Sequence, residues 1–192
     1  MSKRLYVAYG SNLNKAQMAM RCKTSKFYGT GVIQDYELQF KGAQYGAYAT
    51  IAPKPGAFVP VAVWEIEPQD EKHLDRYEGY PSHYFKQDVS VQIGGEEIHA
   101  MVYVMNLKMR FGMPEPYYYQ TVYEGYKDCG LDTNVLNQAV RDSMQAFYAN
   151  CRDDETLSEL EIEDEDDEYP DEDDTFSEDE SDAPDFFNGI TF

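Results

Sequence analysis

The distribution of charge confines the foldable part of this chain to its first 152 residues. Residues 153–185 contain 20 of the 36 acidic side chains and no lysine or arginine. Like charges at this density repel one another, and the segment has too few apolar residues to offset the conformational entropy that folding costs. We therefore predict a folded domain over residues 1–152 and a disordered acidic tail over residues 153–192.

The predicted domain carries no net charge. Its remaining 16 acidic side chains are matched by 16 lysines and arginines. A neutral domain lacks the basic surface that binds nucleic acid, and nothing in it favours an anionic membrane. We therefore expect neither nucleic acid nor a membrane as a partner.

The N-terminus and the cysteines indicate a cytoplasmic protein. The chain runs from Met1 directly into a strand pattern without a signal peptide, and it has no apolar run of about 18 residues that could cross a membrane. The cysteines, Cys22, Cys129 and Cys151, are widely spaced and form no metal-ligand pattern with the histidines. We expect unpaired thiols in a reducing compartment and no bound metal.

Hydrophobic periodicity predicts a strand, a glycine turn and a helix at the start of the domain. Residues 4–9 form an apolar and aromatic run that ends at Gly10. Ser11 and Asn12 are good helix N-caps. Apolar residues then follow at helical spacing: Leu13, Ala16, Ala19 and Met20.

The middle of the domain is rich in strand patterns. Strands are predicted over residues 32–40, 48–52 and 59–66, where Pro53 and Pro55 end the second and Pro60 lies at the start or edge of the third. A helix follows from Pro68 to Gly79, with Leu74 and Tyr77 on its inner face.

The rest of the domain is predicted as a hairpin followed by two helices. Residues 84–93 and 96–105 flank two adjacent glycines, which is a strong hairpin signal. Helices are expected over residues 117–129 and 134–152. The mixture of strands and helices predicts an α+β domain with a mixed or barrel-like sheet.

Four motifs occur along the chain in a distinctive order. The first is Tyr9-Gly-Ser-Asn-Leu13, directly after the first strand. It is followed by Leu-Asp-x-x-Glu-Gly over residues 74–79, Tyr-Val-Met over 103–105, and Pro-Tyr-Tyr over 116–118 with Gly-Leu at 130–131. In these motifs residues 4–145 resemble the γ-glutamylcyclotransferase-like (AIG2-like) family. The resemblance implies that family's fold, a mixed β-barrel or sheet flanked by helices.

The resemblance also implies a reaction and a set of site residues. Enzymes of this family release 5-oxoproline from a γ-glutamyl amino acid, amine or peptide, since the substrate's own α-amine attacks its γ-carbonyl. Glu78 matches the general acid/base, and no metal or cofactor is implied. The substrate-binding positions that match the family are Tyr6, Val7, Ala8, Tyr9, Gly10, Ser11, Asn12, Tyr103 and Tyr118.

Local physical chemistry is compatible with that role for Glu78. Glu78 is predicted at the C-terminal end of a helix, where the negative end of the dipole should raise the pKa of the carboxyl. The neighbouring Tyr77, Tyr80 and Tyr84 should raise the pKa of the carboxyl further by partial desolvation. The leaving group is not readable, because the loops at residues 43–47 and 108–115 should shape its pocket and carry no recognisable pattern.

A second interpretation stays open. The domain could be a non-catalytic module that captures a ligand in its cleft, with the acidic tail binding a basic protein partner. The presence of Glu78 favours the enzyme over this alternative.

Overall fold

The structure is a computed structural model, and it describes residues 3–160. These residues form a five-stranded barrel with helices around it. The strands are β1 (Arg4–Ala8), β2 (Lys26–Gly42), β3 (Ala47–Ile66), β4 (Tyr84–Ile93) and β5 (Glu96–Met105). The helices are α1 (Lys15–Arg21), α2 (Pro68–Glu78), α3 (Pro116–Asp128) and α4 (Thr133–Leu160), and a short 3₁₀ turn covers Ser11–Leu13.

The barrel closes in the order β1-β3-β2-β4-β5. Neighbouring strands are antiparallel except for β1 and β5, whose parallel pairing joins Val7 to Val102. Val7 is also paired with Val63 of β3, and all three valines are fully buried. The shortest strand is therefore paired on both sides in the core. The predicted α+β class and barrel-like sheet are confirmed.

The hairpin prediction is confirmed, but β3 does not break where its prolines suggested. Tyr84–Ile93 and Glu96–Met105 pair antiparallel around their two-glycine turn. In contrast, β3 runs through Pro53 and Pro55. The prolines are tolerated because β1 pairs with β3 only from Ala62 onward, so β3 has β2 as its one neighbour there, and the β2–β3 register is irregular next to Pro53.

The predicted cap of the first helix is wrong. Ser11 and Asn12 lie inside the 3₁₀ turn, and α1 begins only at Lys15. Asn14 is the actual N-cap, since its side chain accepts a hydrogen bond of 3.0 Å from the Gln17 N–H. The chain therefore makes an extra tight turn before the helix, and this turn frees the Asn12 side chain for another role.

The helices predicted after the first one are present, but they differ from the prediction at Tyr77 and at the end of α4. Leu74 of α2 is buried as predicted, but Tyr77 is 47% exposed and does not belong to the core. The last helix, α4, continues to Leu160, beyond the predicted boundary at residue 152. Residues 161–192 of the predicted tail, and with them its predicted basic partner, lie outside the described residues. Among the helices described, none is both long and apolar enough to cross a membrane.

Candidate active site

A pocket opens where β1 ends, and it gathers nearly all of the predicted site residues. We call it the inner pocket. It is lined by Tyr6, Val7, Tyr9, Gly10, Ser11, Asn12, Ala49, Glu78, Tyr84, Tyr103 and Tyr118. Ala8 was predicted to contact the substrate but does not line this pocket, because its methyl group is packed in the core at 1% exposure. Ala49 and Tyr84 are lining residues that were not among the predicted substrate-binding positions, although Tyr84 was predicted to lie near Glu78.

The turn after β1 brings the backbone close to the pocket. Gly10 precedes the 3₁₀ turn, and the Leu13 N–H donates to the Gly10 carbonyl at 3.0 Å. A Cβ atom on Gly10 would lie 3.1 Å from the Tyr118 hydroxyl and 3.3 Å from the Ala49 Cβ. Glycine therefore suits this position, since a methyl group would press on Tyr118 and Ala49, which both line the inner pocket.

Glu78 is the last residue of α2, and its side chain lines the inner pocket. Gly79 ends this helix in the left-handed conformation, with φ of 63°, which favours glycine. The buried Leu74, one turn earlier, anchors the helix against the barrel. Together the helix end and its anchor set the position from which the Glu78 side chain enters the pocket.

Burial raises the pKa of the Glu78 carboxyl from its ordinary value of 4.5 to about 7. The nearby Arg21 charge and the hydrogen bond from Asn12 both oppose this shift and lower the pKa. The predicted direction is therefore confirmed, with desolvation as the largest cause. A carboxyl with a pKa near neutrality can both accept and release a proton at physiological pH.

Asn12 holds the Glu78 carboxylate through a short chain of hydrogen bonds. Its Nδ2 donates to Glu78 Oε1 at 2.8 Å and to the Tyr6 hydroxyl at 2.8 Å. Its Oδ1 accepts from Arg21 at 2.6 Å. Because a guanidinium can only donate, the contact with Arg21 forces the amide of Asn12 to point its NH₂ group at Glu78.

The tyrosine hydroxyls differ in whether their protons are already used. Tyr9 donates to the Tyr103 carbonyl at 2.5 Å, and Tyr84 donates to the Ala49 carbonyl at 2.9 Å. The Tyr118 hydroxyl instead accepts from the Ala49 N–H at 3.1 Å, and that of Tyr6 accepts from Asn12. Tyr6 and Tyr118 therefore retain a proton that can be donated to a ligand. Burial raises the pKa of both hydroxyls, so they stay protonated.

Tyr103 lines the pocket as predicted, but its hydroxyl is hydrogen-bonded to Asp75, which is not a lining residue of the pocket. It donates to Asp75 Oδ1 at 2.6 Å, and Lys86 forms an ion pair with the same carboxylate oxygen at 2.7 Å. The ring of Tyr103 packs edge-on against Tyr6, with ring centroids 5.8 Å apart. These contacts orient the ring, and the hydroxyl proton is not available to a ligand.

Two further residues lie at the mouth of the pocket: Arg21, which the prediction missed, and Tyr77, which was predicted to lie beside Glu78 but not to bind substrate. The Arg21 guanidinium lies 3.7 Å from the centre of the Tyr77 ring, and the Tyr77 hydroxyl is 3.0 Å from Ser11 Oγ. An arginine in the last turn of a helix is ordinarily explained by the helix dipole. No local signal therefore connected Arg21 with the site.

In residues 3–152, whose side chains the structure describes, no three histidine, cysteine, aspartate or glutamate side chains are grouped so that they could hold a metal ion. The three cysteines are free thiols.

Comparison with known proteins identifies the family. The family model for γ-glutamyl cyclotransferase, AIG2-like, matches residues 6–124. The γ-glutamylcyclotransferase of Bos taurus is 33% identical over 136 residues, which span 66% of this chain and 72% of that protein. The Homo sapiens enzyme of the same name is 32% identical over the same shares of both chains.

Comparison of structures agrees. A solved structure described as a γ-glutamyl cyclotransferase superimposes with a TM-score of 0.66 and 29% sequence identity, over 72% of this chain and 86% of that one. The matched region contains the turn after β1, Glu78 and Tyr118, which together build the inner pocket. This chain belongs to the γ-glutamyl cyclotransferase, AIG2-like family and is an enzyme of the cyclotransferase type.

Proposed function

We propose that this enzyme releases 5-oxoproline from a γ-glutamyl amino acid, amine or peptide, with Glu78 as its general acid/base. The observation that carries the proposal is the Glu78 carboxyl, whose pKa is raised to about 7 by burial in a pocket beside the Gly10–Asn12 backbone. The raised pKa suits a residue that must take up a proton and then return it.

The reaction needs no external nucleophile, because the substrate carries its own. Glu78 removes a proton from the substrate's α-ammonium group, and the free amine attacks the γ-carbonyl carbon. A ring C–N bond forms, and the carbonyl oxygen becomes negatively charged. That intermediate collapses as the original amide C–N bond breaks, and the departing nitrogen takes the proton that Glu78 received. Glu78 then takes the second proton from the ring nitrogen and passes it to the departing amine, which leaves as an ammonium ion while Glu78 returns to its ionised form. No water is consumed.

The pocket supplies groups for the two ends of the reacting glutamyl unit. The first N–H groups of a 3₁₀ turn have no partner within the turn, so those of Ser11 and Asn12 can bind the glutamyl α-carboxylate. The Tyr118 hydroxyl has a proton free to stabilise the negative oxygen. Asn12 engages Glu78 Oε1 and thereby leaves Oε2 for the substrate. Closure of a five-membered ring in this fixed geometry supplies much of the rate acceleration.

The proposal is tested by incubating the purified enzyme with a panel of γ-glutamyl amino acids, alkylamides and peptides. We expect 5-oxoproline from at least one γ-glutamyl compound, measured by liquid chromatography and mass spectrometry. The matched α-glutamyl dipeptides are the control, because they lack the γ-amide and should give none. Absence of 5-oxoproline across the whole panel, with ligand binding retained, would support a binding module instead.

A further inference from the structure

A second, larger cavity adjoins the inner pocket. We call it the outer cavity. It has a volume of about 380 Å³ and shares Ser11 and Tyr118 with the inner pocket as lining residues. Gln17, Arg21, Tyr77 and Glu115 are among its other lining residues. Gly46, Ala47 and Glu115 of this cavity belong to the two loops that were expected to shape the leaving-group pocket.

The guanidinium of Arg21 places a positive charge at the junction of the two cavities. Its guanidinium donates to Ser11 Oγ at 3.3 Å, to Asn12 Oδ1 and to the side-chain carbonyl of Gln17. All three acceptors are neutral. Among the side chains that the structure describes, no carboxylate lies within 4.0 Å of this guanidinium. A partly buried cation next to a cavity, held by neutral groups, is a site suited to an anion.

We infer that the outer cavity holds the leaving group and that Arg21 binds a carboxylate on it. This inference rests on the proposed function and narrows it to γ-glutamyl compounds whose leaving group is an amino acid or peptide. In such compounds a carboxylate lies two bonds from the departing nitrogen when the leaving group is a single α-amino acid. That position matches a cation at the junction between the cavities.

The position of Glu115, the other charged residue that lines the outer cavity, supports binding of the leaving-group carboxylate at Arg21. Glu115 lies beside Gly46, where its Oε1 is 3.5 Å from the position of a Cβ on that glycine. Arg21 lies instead beside Ser11 and Asn12, next to the inner pocket. The cavity therefore has its positive charge near the scissile bond and a negative charge elsewhere on its lining. Arg21 would attract a leaving-group carboxylate, and Glu115 would repel it.

Two other roles for Arg21 make different predictions. If Arg21 bound the glutamyl α-carboxylate, its loss would slow every γ-glutamyl substrate equally. If it acted only by orienting Asn12 and Glu78, its loss would again affect all substrates alike and would also shift the pH profile. Binding of the leaving group differs from both, because the loss would depend on whether the leaving group has a carboxylate.

The test compares two substrates that differ in that carboxylate alone, γ-glutamylalanine and γ-glutamylethylamide. We expect the wild-type enzyme to prefer the alanine compound. In Arg21→Met the ratio of kcat/KM for the two compounds should fall about 10- to 100-fold, the loss expected for a charge-assisted hydrogen bond. Arg21→Lys should fall between the two, since lysine keeps the charge but lacks the planar fork. Arg76→Met is the matched control, because Arg76 is exposed on α2 and lines neither cavity.

The outcomes separate this inference from the proposed function. Equal losses on both substrates in Arg21→Met would overturn the inference while 5-oxoproline formation stands. No 5-oxoproline from these two substrates or from any other compound of the γ-glutamyl panel with the wild-type enzyme would instead refute the proposed function. If the methionine variant does not fold, Arg21→Lys is measured with the same two substrates, and an unchanged ratio there would also overturn the inference.

Discussion

Replacing Glu78 by glutamine should stabilise the protein, and the gain should depend on pH. Burial raises the pKa of this carboxyl to about 7 in the folded state, against an ordinary value of 4.5. Between these two pH values the folded chain binds more protons than the unfolded chain, so the free energy of unfolding falls as pH rises through this window. Glutamine has the same shape and does not ionise, so it avoids the loss.

The size of the effect follows from the displacement of the pKa. A difference of about 2.5 pH units corresponds to about 3 kcal/mol at 1.36 kcal/mol per unit. We expect Glu78→Gln to be more stable than the wild type by about 2–3 kcal/mol at pH 8.5, and by less than about 0.5 kcal/mol at pH 4.5. A carboxylate kept in an unfavourable environment for function commonly lowers stability in this way.

The measurement is equilibrium unfolding in urea, followed by the fluorescence of Trp64, which is the only tryptophan and is buried. Glu96→Gln at the exposed hairpin turn is the control and should change stability little at either pH. A glutamine variant no more stable than the wild type at pH 8.5, or equally stabilised at both pH values, would refute the explanation by burial.

Three further predictions concern the neighbours of Glu78 and the barrel. Asn12→Leu removes a hydrogen bond that lowers the pKa of Glu78. The acidic limb of the pH profile of kcat/KM should therefore move up by about 1 pH unit. A downward shift would show that Asn12 does not stabilise the ionised carboxylate. Gly10→Ala places a Cβ 3.1 Å from the Tyr118 hydroxyl and should raise KM about tenfold, with a loss of stability of about 1 kcal/mol. Initial rates and urea unfolding measure the two effects, and an unchanged KM would show that the pocket tolerates the methyl group. Gly31→Ala places a Cβ 2.5 Å from a carbonyl oxygen of β4. The free energy of unfolding, measured in urea, should fall by about 2 kcal/mol or more. An unchanged free energy of unfolding would mean that the barrel can widen there.

The sequence allowed much of the inner pocket to be predicted because the motif order carries three-dimensional information. Asn12 and Glu78 are 66 positions apart, and no local periodicity relates them. The family resemblance placed them in one site, and the structure brings them within hydrogen-bonding distance. The β4–β5 hairpin was predictable for a different reason, since the chemistry of its turn is local.

What sequence reasoning missed depends on how distant elements pack. Arg21 contacts Asn12 from the last turn of α1, and Ala49 lines the inner pocket from β3, and neither position follows from the local sequence pattern. The prolines of β3 were read by a rule for central strands, although β3 has a single neighbour at those positions. The pKa of Glu78 was expected to rise partly through the helix dipole, whereas the enclosure of the pocket is the largest cause.

The most direct test of the proposed mechanism measures turnover and binding of Glu78→Gln side by side. A γ-glutamyl substrate converted by the wild type is given to the variant, 5-oxoproline is followed by mass spectrometry, and substrate binding is measured by calorimetry. We predict a loss of turnover of at least about 1,000-fold with the dissociation constant changed only a few-fold, since glutamine keeps the shape and cannot transfer the proton. Turnover at the wild-type rate in this variant would contradict the role of Glu78 as the acid/base.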